Sequence, residues 1–330
     1  MMSKQLLRQS GLSLVEVMIA IAVGSLLSLG LIDVLINSNQ AYRTQNALIR
    51  VQEEGQFATD ILVKDIRDTN FWGCLTDLGK INNQLNSLGT GYNSTYMGYT
   101  AALAGQENVS GGAFVTGSDT ITISAAENIG GGAQIQSPYP TSASDPITIT
   151  TNNGIATGDI VLVSDCLQGD IFQVTNADAN TTGELQHAAS IGNPGNSSAS
   201  LSKVYNAGTF VLLPYTRTYS IRTNAEGNPG LYVTDSTSTQ EIAEGVENMV
   251  VLYGEDTNSD GTANRYVRAD SVTDMNEVVS IRLNLLVQSL ENNVTDRATP
   301  YVFNGQTITP NDRKLRRVYS TTIVLRNRAG

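Results

Sequence analysis

Residues 12–32 form an almost unbroken apolar run, interrupted by Glu16 and by small residues (Gly24, Ser25, Ser28, Gly30). As a helix, these twenty-one residues rise about 31 Å, the thickness of a bilayer's hydrocarbon core. Lys4 and Arg8 precede the run. Positive flanks stay on the cytoplasmic side, so residues 33–330 are expected on the far side of the membrane. A secretory signal carries its small-residue cleavage site after the apolar stretch. Here the candidate site, Ser10-Gly11-Leu12, comes before it, and cleavage after Gly11 leaves the apolar helix on the mature chain. Glu16 then becomes the fifth mature residue, a carboxylate inside an apolar segment, which is costly in lipid and demands a partner.

The helical pattern continues past the run. From residue 33 to 69 there is no proline and one glycine, Gly55. Ala41, Leu48, Val51, Ala58, Leu62 and Ile66 recur at spacings of three, four and seven, while Gln40, Arg43, Gln52, Asp60, Lys64, Asp65 and Arg67 fill the other face. The spacing predicts one spine helix over residues 12–70, its 12–32 half transmembrane and its second half amphipathic, about 85 Å long. Asn70 and Trp72-Gly73-Cys74 end it.

Beyond Cys74 the pattern changes to short alternating runs between turn clusters, the signature of antiparallel strands. Strands are expected near 120–124, 147–150, 159–164, 171–175, 209–213 and 218–222, with long Gly/Asn/Ser-rich loops over 76–118 and 176–202. Residues 246–253 are apolar on both faces. Val279, Ile281, Leu283, Leu285 and Val287 alternate, as do Tyr319, Thr321, Ile323 and Leu325. The expected fold is α+β: a leader (1–11), the spine helix, a β-rich insertion or second sheet (71–240), and the C-terminal strands (241–330) that clasp the helix.

Charged residues make up 15% of the chain, below the roughly 25% of an ordinary soluble domain. A net charge of −11 argues against broad binding to nucleic-acid phosphates. Between Lys80 and Lys203 there is no Lys or Arg, but nine Asp and Glu. The one basic cluster, Arg313, Lys314, Arg316, Arg317, Arg326 and Arg328, reads as a solvated strand that meets the acidic surface of a neighbouring subunit. One histidine, His187, on a segment that reads as a mobile loop, and two distant cysteines exclude a Cys/His zinc site. Asp159, Asp165 and Asp170 lie close enough in sequence for a carboxylate-pair hydrolase, yet no clustered triad accompanies them, and no enzyme is expected. Cys74 and Cys166 are expected to bond in an oxidising compartment, two buried free thiols being the alternative. The bond would close a loop worth about 4–5 kcal/mol in the chain-entropy model. Asp256, Asn258 and Asp260 supply oxygens at positions 1, 3 and 5 of an EF-hand-like loop before Gly261, with Thr262 and Asn264 at 7 and 9. Val267 stands at position 12, so a carboxylate from Glu255 or Asp270 would have to substitute. Calcium is the one cofactor weighed, against a plain Asn/Gly-rich hairpin turn.

The segment GLSLVEVMIAIAVGSLL resembles the N-terminal motif of type IV pilins and type II secretion pseudopilins. That resemblance makes Gly11 the last leader residue for a prepilin peptidase, Leu12 the N-methylated first residue, where the family usually has Phe, and Glu16 the fifth-position assembly glutamate. The segments FWGC (71–74), DIVLVSDC (159–166), DIFQVT (170–175), EIAEGVENMVVLYGEDT (241–257) and KLRRVYSTTIVLRNR (314–328) look like the PilW minor pilins, in order over nearly the whole chain. What the resemblance implies is a membrane-tethered pilin that primes assembly near the fibre tip, with twitching motility and DNA uptake as the setting. Its partners would be other minor pilins, the major pilin, a tip adhesin, the inner-membrane assembly platform and the prepilin peptidase. No small-molecule substrate and no direct nucleic-acid binding are expected. It would sit in the inner membrane with a periplasmic C-terminal domain before joining an extracellular pilus. The related alternative is the J-type minor pseudopilin of type II secretion.

Overall fold

A computed structural model describes residues 13–328, so Gly11 and Leu12 lie outside the described residues. One helix, α1 (Leu14–Asp68), runs unbroken for 55 residues, about 80 Å. Its N-terminus is capped by Ser13, whose Oγ accepts the Glu16 N–H at 3.4 Å, one half of a capping box. Its C-terminus is closed by the far end of the chain: Asn327 Nδ2 donates to the Thr69 carbonyl at 3.1 Å, and Asn70, in the left-handed region at φ 65°, turns the chain away.

Sixteen strands follow among the described residues: β1 (Ile81–Asn83), β2 (Leu103–Val109), β3 (Ser118–Gln134), β4 (Ile147–Thr148), β5 (Ile160–Ser164), β6 (Gly169–Gln173), β7 (Glu184–Leu185) and β8 (Phe210–Thr223). Then come β9 (Pro229–Thr234), β10 (Thr239–Glu244), β11 (Val246–Glu255), β12 (Arg265–Val267), β13 (Val278–Gln288), β14 (Tyr301–Phe303), β15 (Gln306–Ile308) and β16 (Arg316–Val324). A large sheet runs β1-β6-β5-β8-β3-β2, with β9 joined to β8 and β10 to β9. A second, antiparallel sheet runs β12-β11-β13-β16. The β14–β15 hairpin packs Phe303 on Val250 and Leu286, on the face of the small sheet opposite α1. The α+β class is as the alternation predicts, and so is the antiparallel pairing, apart from the parallel β1–β6 pair.

Both sheets hold the helix. Val51, Ala58, Leu62 and Ile66 of α1 share one core with Ile121, Ile123, Tyr219 and Ile221 of the large sheet and Met249, Ile281, Leu283 and Ile323 of the small one. The C-terminal strands clasp α1 as expected, and the large sheet joins them. Two further cores lie on opposite faces of β5, β6 and β8: one around Val161, Phe172 and Tyr205, the other around Trp72, Leu162 and Leu212. The segments expected to be bare loops contain β1, β2 and β7, too short or too polar to announce themselves. β8 is one strand where two were expected. Pro214 lies inside it: β5 pairs with β8 only up to Leu212, and β9 pairs with β8 only from Thr218 onward. Pro214 therefore pairs on one side only, where a missing N–H is tolerated.

The buried stripe of α1 also differs in detail. Ala41 and Leu48 are exposed; Ala47, Gly55 and Asp65 take places in the packed face instead. Gly55 is there because the Tyr319 ring of β16 lies on it and donates its hydroxyl to the Val51 carbonyl at 3.0 Å. By helix propensity alone, Gly55→Ala would stabilise by about 1 kcal/mol. A Cβ at Gly55 would stand 2.2 Å from Tyr319 Cε2, and overpacking of that kind costs about 1–3 kcal/mol. Gly55→Ala is therefore expected to destabilise by up to about 2 kcal/mol in chemical denaturation and to become stabilising in a Tyr319→Leu background. Stabilisation in the wild-type background would disprove the contact.

Candidate assembly site

From Leu14 to Asn39, α1 is exposed throughout among the described residues. Every large apolar residue from Leu14 to Ile36 is between 43% and 77% exposed, and a window of this helix has mean hydropathy 2.4. Its hydroxyls are satisfied locally: Ser25 donates to the Ala22 carbonyl and Ser28 to the Gly24 carbonyl, both at 2.8 Å. That internal bonding is what a segment entering hydrocarbon requires. Ala20, Gly24 and Ser28 lie on one face at i, i+4 and i+8, small enough for a second helix to approach closely. Glu16 sits in the first turn, where the helix dipole favours a carboxylate. It is exposed, and its side chain makes no ion pair or hydrogen bond among the described residues.

The second half is fixed by polar contacts as well as packing. Asp65, 6% exposed, accepts from Arg217 Nη1 at 2.9 Å and from the Tyr219 hydroxyl. Burial raises the pKa of Tyr219, and the charge of Asp65 raises it further, so the phenol stays a donor. Burial opposes the charge on Arg217, but Asp65 and Glu127 more than compensate and hold its pKa above the ordinary value. Nearer the membrane, Gln40 Nε2 and Thr44 Oγ1 donate to the Val294 carbonyl at 2.9 and 2.7 Å, and Arg50 pairs with Glu291 at 3.2 Å. The sequence pattern placed Asp65 on the solvent face; only the tertiary partners reveal its role.

Two family models match the chain. Residues 6–32 match the prokaryotic N-terminal methylation motif, and residues 218–327, about a third of the chain, match type IV pilus-assembly protein W. The two matches support a PilW-type minor pilin with a prepilin-like N-terminus. No curated protein and no solved structure matches. A type IV pilus-related pilin is a structural component, and the free apolar half of α1 fits a membrane-anchored one.

The remaining candidates take structural places in this fold. Cys74 and Cys166 are bonded, tying the segment after α1 to the end of β5. Beside that bond, Trp72 is fully buried, donates Nε1–H to Asn70 Oδ1 at 3.1 Å and meets Tyr99 edge-on. Asp256, Asn258, Asp260, Thr262 and Asn264 share one turn after β11. Asp256 accepts the N–H groups of Asn258, Asp260 and Gly261 at 3.2, 3.2 and 2.7 Å. Asp260 accepts from Thr262 and Asn258, and Asn264 Oδ1 accepts the Thr257 N–H. Of the two proposed substitutes, Glu255 is committed to Arg265 at 2.7 Å and to the Thr273 N–H, and Asp270 is exposed. No cluster of three His, Cys, Asp or Glu able to hold a metal occurs among the described residues.

Asp159, Asp165 and Asp170 do not form a catalytic pair. Asp170 is fully buried and accepts from Tyr205, Ser202 and Gln84; Asp165 pairs with Lys203; Asp159 accepts the Ala156 N–H. His187 is buried rather than on a mobile loop, packed on Phe172 with Nε2 against the Asp145 carbonyl at 3.1 Å, and burial lowers its pKa. The basic cluster is divided: Arg316 is caged by Glu247 and Asp312 at 2.6 Å each, and its bonds hold Asp312 at a pKa of about 2. That pairing inside the chain corrects the expectation that the whole cluster meets a neighbour.

The disulfide closes 92 residues of sequence. Replacing both Cys74 and Cys166 by Ala is expected to lower stability by about 2–4 kcal/mol, read as a lower denaturation midpoint with a somewhat steeper slope, because the uncrosslinked denatured chain exposes more surface. An unchanged midpoint would show that the bond contributes nothing to stability.

Proposed function

We propose that this chain is cleaved after Gly11, methylated at Leu12, and inserted as a minor pilin that helps prime type IV pilus assembly near the fibre tip. The observation that carries the reading is Glu16: a carboxylate at the start of an apolar helix half that nothing in the described chain covers. In a bundle of such helices, the new amine at Leu12 of one subunit lies beside Glu16 of its neighbour. Two opposite charges in low dielectric attract strongly, and either one left alone is costly. The pair sets how far an incoming subunit slides along its neighbours before it locks. Before assembly the same helix tethers the chain in the inner membrane, with residues 33–330 in the periplasm. The match to a pilus-assembly family supports the pilus over the secretion pseudopilin.

The test uses three variants in a strain lacking this gene. Gly11→Val should accumulate a form eleven residues longer, because the peptidase subsite beside the scissile bond admits a small residue. Glu16→Ala and Glu16→Gln should be cleaved, folded and membrane-held, yet fail to co-purify with other minor pilins. Breaking a buried pair costs about 3–5 kcal/mol, so recovery should fall by more than a hundredfold. Wild-type co-purification by both Glu16 variants would remove the mechanism, and normal maturation of Gly11→Val would remove the cleavage assignment.

A further inference from the structure

We propose that the membrane-facing end of the globular domain is a docking surface for anionic phospholipid headgroups, holding the subunit upright on the bilayer before assembly. The inference rests on α1 spanning the membrane as proposed above. The exposed apolar stretch ends at Ile36, with Asp33 just inside it. Gln40 and Thr44, which bond to Val294, stand four and eight residues beyond Ile36, a rise of about 6 and 12 Å. The headgroup layer on each side of the hydrocarbon core is about 5–8 Å deep. Counted from Ile36, the Gln40 contact with Val294 lies within that layer; counted from Ile32 it stands about 12 Å out, a few ångströms beyond the layer and within reach of an extended Arg or Lys side chain.

That loop and its neighbour carry cations. Val294 and Thr295 donate their N–H groups to the Arg313 carbonyl at 3.0 Å, and Thr295 Oγ1 donates to the Arg297 carbonyl at 2.8 Å. Arg313, Lys314 and Arg297 are thus drawn to one end of the domain, and Arg43 joins them from α1, lining the same hollow as Val294. None of the four makes an ion pair among the described residues. Arg313 donates to Asn293 Oδ1, a neutral acceptor that leaves its charge uncompensated. Of the carboxylates nearby, Glu291 is taken by Arg50 and Asp312 by Arg316, which leaves Asp296 and, at the membrane boundary of α1, Asp33 against the four cations.

In a chain of net charge −11, a cationic end is opposite in sign to the average surface of the chain and turned toward the bilayer. Arg and Lys can extend their stems to place the charge among phosphates while the backbone stays outside. Their attraction reaches a Debye length of about 8 Å at physiological salt. A zwitterionic surface offers no such net attraction, so the partner is specified by charge: a headgroup bearing net negative charge, held by the same membrane as the helix. An acidic face of a neighbouring pilin is the competing occupant.

The experiment reconstitutes the full chain in nanodiscs of phosphatidylcholine alone and of phosphatidylcholine with about a third phosphatidylglycerol. Hydrogen exchange is followed over residues 38–46, 291–300 and 310–315, with residues 118–134 as the internal control. The phosphatidylglycerol discs are expected to slow the three membrane-facing segments roughly fivefold or more, as for one basic side chain held at an anionic surface. The control should not change, and high salt should erase the difference. Arg297→Glu with Lys314→Glu should erase it too; neither side chain makes a hydrogen bond in the fold, so folding is spared. Equal exchange on both discs would overturn the proposal and leave the face to a neighbouring pilin. A chain that enters neither disc would overturn the transmembrane anchor, and the docking surface with it.

Discussion

One unbroken helix has to be stable in two media, and the buried pairing of Asp65 with Arg217 and Tyr219 shows how the second medium is met. An ion pair inside a core contributes little by itself, because desolvation offsets attraction. Its value lies in what it forbids. Asp65 can be buried only where both donors reach it, so the helix is fixed in rotation and height against β8. Arg217 is held in turn by Glu127 at 2.9 Å and by the Tyr215 ring at 4.1 Å. With α1 located in this way, Val51, Ala58 and Leu62 fall between the two sheets, and the apolar half projects clear of the domain.

The rest of the architecture follows from supporting that junction. β3 and β8, at 17 and 14 residues, run from the core around α1 to the distal cores, so the large sheet transmits the helix position along its length. The Cys74–Cys166 bond and Trp72 secure the segment that leaves α1, while Asn327 returns to close the helix terminus. Both ends of the described β region therefore meet at the end of α1 farthest from the apolar half.

Much of this was legible in the residues. A run of apolar side chains without proline has few folds open to it, and period-two alternation in β13 and β16 reads directly as half-buried strands. Glu16 stands out because it is a lone charge at the start of an apolar helix. What escaped depends on partners distant in sequence. Asp65 looks like any polar residue until Arg217, 152 positions away, is placed beside it. Gly55 looks like a weak point in the helix until Tyr319 is seen lying on it. β1 has three residues and exists because β6 pairs with it. One signal was present and passed over: Asn304-Gly305, both in the left-handed region, joins β14 to β15 as the short hairpin turn that Asn-Gly favours.

The central claim is that the C-terminal half of α1 is part of the folded domain while the N-terminal half has no support from its own chain. Native-state hydrogen exchange on the full chain in detergent micelles, across a denaturant series, tests it most directly. The account predicts that amides from residue 51 to 66 exchange only through global unfolding, with the same free energy and denaturant slope as those of β13. If residues 51–66 instead opened by a separate, cheaper transition while β13 remained protected, the helix would be a detachable tether and the account would be contradicted.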